Sequence, residues 1–138
     1  IALQGAEVVF YPTAIGGLKG ENDPELAAQR SAWRTIQQSH AIANGIYVAA
    51  VNRVGYEGDE RKGIQFWGES FVCDPRGQVV GEATRSDDDV LVVSCSRELL
   101  EEQRRNWPFL RDRRIDTYAP ITRRFLDENS TVSDIKRG

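Results

Sequence analysis

Ile46-Tyr47-Val48-Ala49-Ala50-Val51-Asn52 is the stretch on which the fold turns. It is apolar up to its last residue and carries no charge. A short, non-alternating apolar run reads as a strand buried on both faces, as in a parallel or mixed sheet covered by helices. Gly45 immediately before it fits the stop of a helix. That helix begins at Asn22-Asp23-Pro24-Glu25, where Asn22 or Asp23 can cap the free amides, Pro24 suits the first turn and Glu25 favours the positive end of the dipole. Leu26, Trp33, Ile36, His40 and Ala43 recur at helical spacing and are expected on its inner face. Upstream, residues 6–11 (AEVVFY) read as a second buried strand, and residues 1–5 as a helix tail. The order is strand, helix, strand, an α/β pattern.

Downstream, 55–62 (GYEGDERK) is a polar loop and 64–73 reads as one long strand. Asp74-Pro75-Arg76-Gly77 has Pro and Gly in favoured turn positions. Residues 78–83 return, so 64–83 reads as a β-hairpin. An acidic turn at 84–89 leads to an expected last core strand at 90–95. Ser96 then caps a short charged helix over 97–106. Residues 107–127 mix Arg111, Arg113, Arg114, Arg123 and Arg124 with scattered apolar residues, and read as an arm that packs on a neighbouring subunit. Trp107 and Phe109 are expected to be buried there. Residues 128–138 read as a disordered tail.

The chain has 138 residues, 40% hydrophobic and 28% charged, and a formal net charge of -3. That balance offers no general attraction to nucleic acid or to anionic lipid. The arginines of 104–124 are interleaved with Glu98, Glu101, Glu102, Asp112, Asp116 and Asp127, which favours ion pairing over a nucleic-acid surface. No apolar run approaches the roughly 20 residues that cross a bilayer. The two cysteines, Cys73 and Cys95, form no metal-binding spacing, and His40 is the only histidine. They read as reduced, buried thiols of a cytoplasmic protein. The sequence contains no methionine and opens on Ile1, so residues upstream of it are expected.

Four segments together carry a family resemblance: LQGAEVVFYPTAIG at 3–16, HAIANGIYVAAVNRVG at 40–55, FWGESFVCDPRGQVVGEA at 66–83 and RRNWPFLRDRRIDTY at 104–118. In this order they resemble the carbon–nitrogen hydrolase (nitrilase) superfamily, with the N-carbamoylputrescine amidases as the nearest branch. The resemblance covers 1–127. It implies the C-terminal portion of an αββα sandwich, four layers with mixed sheets, in a homo-oligomer. It also implies attack by a cysteine thiolate on a carbamoyl carbon, with a glutamate as base and a lysine at the oxyanion. No metal or organic cofactor is implied. In the family all three reacting residues precede the LQGAE segment, so they are expected upstream of Ile1 and none is carried onto this chain. Alone, the chain is expected to be inactive. The substrate implied is N-carbamoylputrescine, giving putrescine, carbon dioxide and ammonia. Other members of the superfamily acting on carbamoyl amines or amides, including β-ureidopropionase-like enzymes, remain open, as does an inactive interaction module.

Candidate substrate-binding residues follow. Tyr11, Pro12 and Thr13 end the first strand, where α/β proteins commonly hold ligands. Thr13 can hydrogen-bond a carbamoyl group, although a plain strand-ending turn would look alike. Glu21 is the nearby carboxylate least explained by helix capping, and suits an ammonium tail. Asn52 ends the second strand on the same expected edge, with local backbone bonding as the alternative. Cys73, before a hairpin turn and beside Asp74, has the wrong setting for a nucleophile. Cys95 has no local base. His40 is read as a helix anchor, and Phe66 and Trp67 as core.

Overall fold

Parallel strands cannot be joined by a tight turn, so the two apolar runs need a crossover, and the amphipathic helix supplies it. The computed structural model describes residues 1–18, 23–59 and 62–124. A 3-10 turn at Ala2–Gln4 ends on left-handed Gly5. Strand β1 (Val8–Thr13) and the short β2 (Gly16–Leu18) precede helix α1 (Asp23–Asn44). β3 (Tyr47–Asn52) follows, parallel to β1 in the register Val8↔Tyr47 to Thr13↔Asn52. Then come β4 (Tyr56–Glu57), β5 (Ile64–Phe66), β6 (Phe71–Cys73), β7 (Val79–Glu82) and helix α2 (Arg97–Asn106). Two sheets result: a mixed one in the order β1-β3-β6-β7, and a small antiparallel one in the order β2-β5-β4.

The core lies between α1 and one face of the larger sheet. Trp33 and Ala41 meet Val48, Ala50, Phe71 and Cys73, with Tyr11 and Leu26 packed at the margin. The Trp33 ring meets Phe71 edge-on at 5.6 Å, an arrangement that adds to burial alone. Phe66 and Trp67 are buried, as expected. The inner face of α1 differs from the sequence reading. It runs through Trp33, Gln37 and Ala41, whereas Ile36, His40 and Ala43 are exposed. Ile36 and Ala43 lie about 100° and about 120° round the helix from Gln37, at 3.6 residues per turn. A buried glutamine marks the centre of the face, which an apolar count passes over.

Two strands also differ. The expected strand at 64–73 is broken, because Gly68 and Glu69 both have positive φ, 60° and 51°. Those residues turn the chain from the small sheet into the large one. The Trp67 and Gly68 amides bond instead to the carbonyls of Ile15 and Arg53. Residues 90–95 form no ladder. The Asp89 carboxylate takes the Val90 N–H at 2.8 Å, while Leu91 and Val93 rest against Gly81. Val90 and Val92 are left 87% and 88% exposed.

The turn and the second helix form as read. Asp74, fully buried, accepts the amides of Arg76 and Gln78 and pairs with the Arg76 guanidinium at 2.9 Å. Gly77 adopts φ 77° there. Ser96 Oγ accepts from Leu99 N, capping α2. The Tyr47 hydroxyl both accepts from Ser96 N and donates to Ser96 O. Burial pushes the Tyr47 phenol up from its ordinary value. Arg104 donates to Gly45 O and Ala6 O, both at 2.9 Å, and so ties α2 to the start of β3 and the approach to β1.

Beyond α2, Trp107 and Phe109 stack edge-to-face but are 59% and 45% exposed within one chain. Arg111 pairs with Asp112 and Arg114 with Asp116. Their hydrogen bond holds the Asp116 carboxyl below its usual value. The tail expected at 128–138 lies outside the described residues, as do Glu21 and Asn22. Among the described residues no helix is long and apolar enough to cross a membrane.

Cys73 is buried in the core and donates to Val48 O. Burial pushes its thiol up to about 11, with the Asp74 charge adding to the rise. Cys95 is exposed, against the expected burial, because residues 90–95 join no sheet; partial desolvation still raises its thiol.

Two outcomes are expected. The face of the large sheet opposite α1 leaves Phe10 68% and Val51 46% exposed, and β1 has an open edge. The 138-residue chain expressed alone should therefore associate or precipitate; light scattering from a stable monomer with a cooperative melt would contradict this. Because thiolate, not thiol, is alkylated, iodoacetamide at mildly alkaline pH should label Cys95 at least about tenfold faster than Cys73. Equal labelling in a peptide mass map would reject the buried placement.

Candidate functional site

The parallel register brings the ends of β1 and β3 to one edge of the sheet, with Thr13 opposite Asn52. Thr13 Oγ1 stands 3.2 Å from both Val51 O and Asn52 Oδ1. The Asn52 side chain is buried. Its Oδ1 accepts the Ile15 amide at 2.9 Å, and its Nδ2 donates to Ile15 O and Gly68 O at 3.1 and 3.0 Å. Ser70 Oγ accepts from Asn52 N and donates to Asn52 O. The strand ends and two loops are thus fastened at one point.

Tyr11 and Pro12 face opposite ways, as neighbours on a strand must. Tyr11 turns toward α1 and stacks on His40, ring centroids 6.2 Å apart and nearly parallel. His40 therefore contacts the sheet while itself exposed. Pro12 is exposed beside Val51, on the uncovered side. On that side an open concavity of about 670 Å³ has an apolar floor including Phe10, Ala49 and Val72, and a polar rim including Arg53, Thr84 and Asp88. The structure thus brings Pro12, Thr13 and Asn52 to one sheet edge, with Tyr11 turned to the helix.

Sequence reading missed Ser70, Gly68 and Glu69 as parts of this edge. Glu69 N bonds to Thr84 O, and its carboxylate meets Arg85 at 3.0 Å and Arg30 at 3.7 Å. The signal was Gly68 inside a supposed strand, which often marks a bend or a close backbone approach. The edge offers hydrogen-bonding groups but no nucleophile paired with a base: the Cys73 thiol has a backbone carbonyl as its partner. Among the described residues no group of three or more His, Cys, Asp or Glu side chains stands where it could hold a metal ion.

The family described as Carbon-nitrogen hydrolase matches residues 1–105. The chain is 39% identical over 125 residues to the N-carbamoylputrescine amidase of Arabidopsis thaliana, a span of 88% of this chain and 41% of that protein. It is 38% identical over 127 residues to the citrullinase of Francisella tularensis, spanning 91% of this chain and 43% of that one. A crystal structure of a carbon–nitrogen hydrolase from Helicobacter pylori G27 superposes with a TM-score of 0.86 at 45% identity, over 91% of this chain and 44% of that one. The chain thus spans about two fifths of the length of these relatives. Matched over most of its length in sequence and in fold, the chain belongs to the carbon–nitrogen hydrolase family.

Proposed function

We propose that the polypeptide carrying this chain hydrolyses a carbamoylated amine, with N-carbamoylputrescine as the first candidate. The observation that carries this reading is the identity shared with N-carbamoylputrescine amidases over 88% of the chain. The citrullinase likeness points the same way, since citrulline also bears a ureido group. The nucleophilic cysteine, the glutamate base and the oxyanion lysine lie in a part of the polypeptide outside these 138 residues. Such a thiolate attacks the ureido carbon, and the amine leaves with a proton from the general acid. Water then releases carbamate from the enzyme, which breaks down to carbon dioxide and ammonia. A fixed cation where negative charge develops is worth several kcal/mol.

In this reading residues 1–127 supply one wall of the pocket. Pro12 and Thr13 border the carbamoyl group, Tyr11 packs behind them against α1, Asn52 supports them, and Glu21 attracts the substrate ammonium. The arm at 107–127 packs on a second subunit, where the exposed Trp107–Phe109 pair would find cover. The protein is cytoplasmic and takes no metal or organic cofactor.

The test uses the longer polypeptide. It should turn over N-carbamoylputrescine faster than the anionic N-carbamoyl-β-alanine, as followed by ammonia release. Glu21→Gln should raise KM for the cationic substrate alone. Faster turnover of the anionic compound would reject both the substrate and the role of Glu21. Cys73→Ser should leave most of the activity; its complete loss would show the nucleophile to be misassigned.

A further inference from the structure

We infer that Asn52 is a positioning residue: its carboxamide sets the conformation of residues 13–15, and through Thr13 the wall that borders the substrate. The inference deepens the hydrolase reading above and rests on it.

The Asn52 carboxamide is saturated with partners inside the chain. A primary amide has two N–H donors and an oxygen with two lone pairs. In Asn52 both donors are spent on carbonyls, Ile15 O and Gly68 O. The oxygen receives the Ile15 amide and faces the Thr13 hydroxyl. The orientation is fixed by these partners: the oxygen must face the Ile15 N–H and the nitrogen must face two carbonyls. The residue borders the concavity, but with 8% of its surface exposed its amide is committed to the chain. Its own main chain is held in turn, since Ser70 Oγ bonds both Asn52 N and Asn52 O.

The same amide reaches a second loop. Gly68, whose carbonyl accepts from Asn52, is followed by Glu69, the only non-glycine residue of positive φ among the described residues. A side-chain-bearing residue in that region costs on the order of 1 kcal/mol and needs its surroundings to hold it. Glu69 is held by the Thr84 carbonyl and by ion pairs with Arg85 and with Arg30 of α1. Asn52 therefore joins the 13–15 segment to a strained turn that is anchored elsewhere. Thr13 is the side chain of that segment hydrogen-bonded to the amide, and its hydroxyl oxygen keeps acceptor capacity for a ligand N–H.

A double-mutant cycle in the longer, active polypeptide tests this. Asn52→Ala and Thr13→Ala are made singly and together, and kcat/KM on the best ureido substrate is normalised to titratable active-site thiol. A shifted wall should lower kcat/KM by between about tenfold and a hundredfold in Asn52→Ala. Most of the change should fall in KM, since the reacting groups lie elsewhere. Adding Thr13→Ala to Asn52→Ala should then cost less than about threefold more, because coupled residues are not additive. Asn52→Asp, which keeps the acceptors and loses both donors, should behave like Asn52→Ala and replaces it if the alanine variant does not fold. Multiplying effects would mean that Asn52 meets substrate independently, and would overturn the inference. So would a lowered melting temperature with unchanged kcat/KM per thiol. A wild-type protein inactive on every ureido compound would instead remove the hydrolase reading, and this inference with it.

Discussion

Parallel pairing of β1 with β3 is the constraint from which the rest of the arrangement follows. Two neighbouring strands that point the same way must be linked by a crossover, and a crossover of this length is a helix. Once α1 lies over one face, residues of alternating parity are sorted: Tyr11, Val48 and Ala50 go under the helix, and Val8, Phe10 and Val51 go to the other side. Both strands then finish at the same edge. An antiparallel pair would have put Thr13 and Asn52 at opposite ends; the parallel one sets them side by side. The bonding at this edge, and every functional suggestion drawn from it, depends on that direction.

The sheet is well covered on the side of α1; the opposite side is closed at Tyr47 and Ala49 but open at Phe10 and Val51. Under α1 the residues are nearly inaccessible, with Val48 and Ala41 at 0%. On the opposite side Phe10 and Val51 face solvent in this chain, and Val90 and Val92 extend the same apolar character to the segment beside β7. A strand such as β3, apolar up to its last residue, is a sequence built for cover on two sides. The layered sandwich of the carbon–nitrogen hydrolases supplies a second sheet on such a face, which gives the open side a physical meaning. The failure of 90–95 to form a ladder belongs here as well. Alternation brings Leu91 and Val93 against Gly81, but the backbone has lost its first donor to Asp89 and half its side chains have nothing to bury against.

What the sequence disclosed was local. Ser96 before a charged run gives α2 with its cap, because a cap involves only four consecutive residues. Asp74-Pro75-Arg76-Gly77 gives the turn for the same reason: carboxylate, fixed φ and left-handed glycine are neighbours. The apolar run at β3 gives a buried strand. What stayed hidden was decided by distant partners. Residues 64–73 look like one strand until the Ile15, Arg53 and Thr84 carbonyls draw off three successive amides at Trp67, Gly68 and Glu69. The inner face of α1 was displaced because Gln37 occupies it, and a hydropathy pattern counts glutamine as solvent-facing. Thr13 and Asn52 were legible as residues of one edge, since strand direction sufficed for that. The bonds they make were not, since those require Ile15 and Gly68 to be in place.

A polar hub at the end of a buried strand has a cost and a reason. Burying an amide is unfavourable unless its hydrogen bonds are replaced, and leaving one unmade costs about 1–3 kcal/mol. An apolar residue at position 52 would avoid that cost for itself, but it would strand the Ile15 amide and the Gly68 carbonyl and leave the Ile15 carbonyl only its bond from the Trp67 amide. Two irregular loops meeting at a sheet edge cannot satisfy each other by regular pairing. A side chain with donors and an acceptor on one rigid plane can serve both. Aspartate has the shape but no donors, and serine reaches too few groups; at this edge Ser70 serves only the Asn52 backbone. An asparagine is therefore the residue the geometry calls for, and its full engagement with the backbone separates holding the pocket wall from touching what the wall encloses.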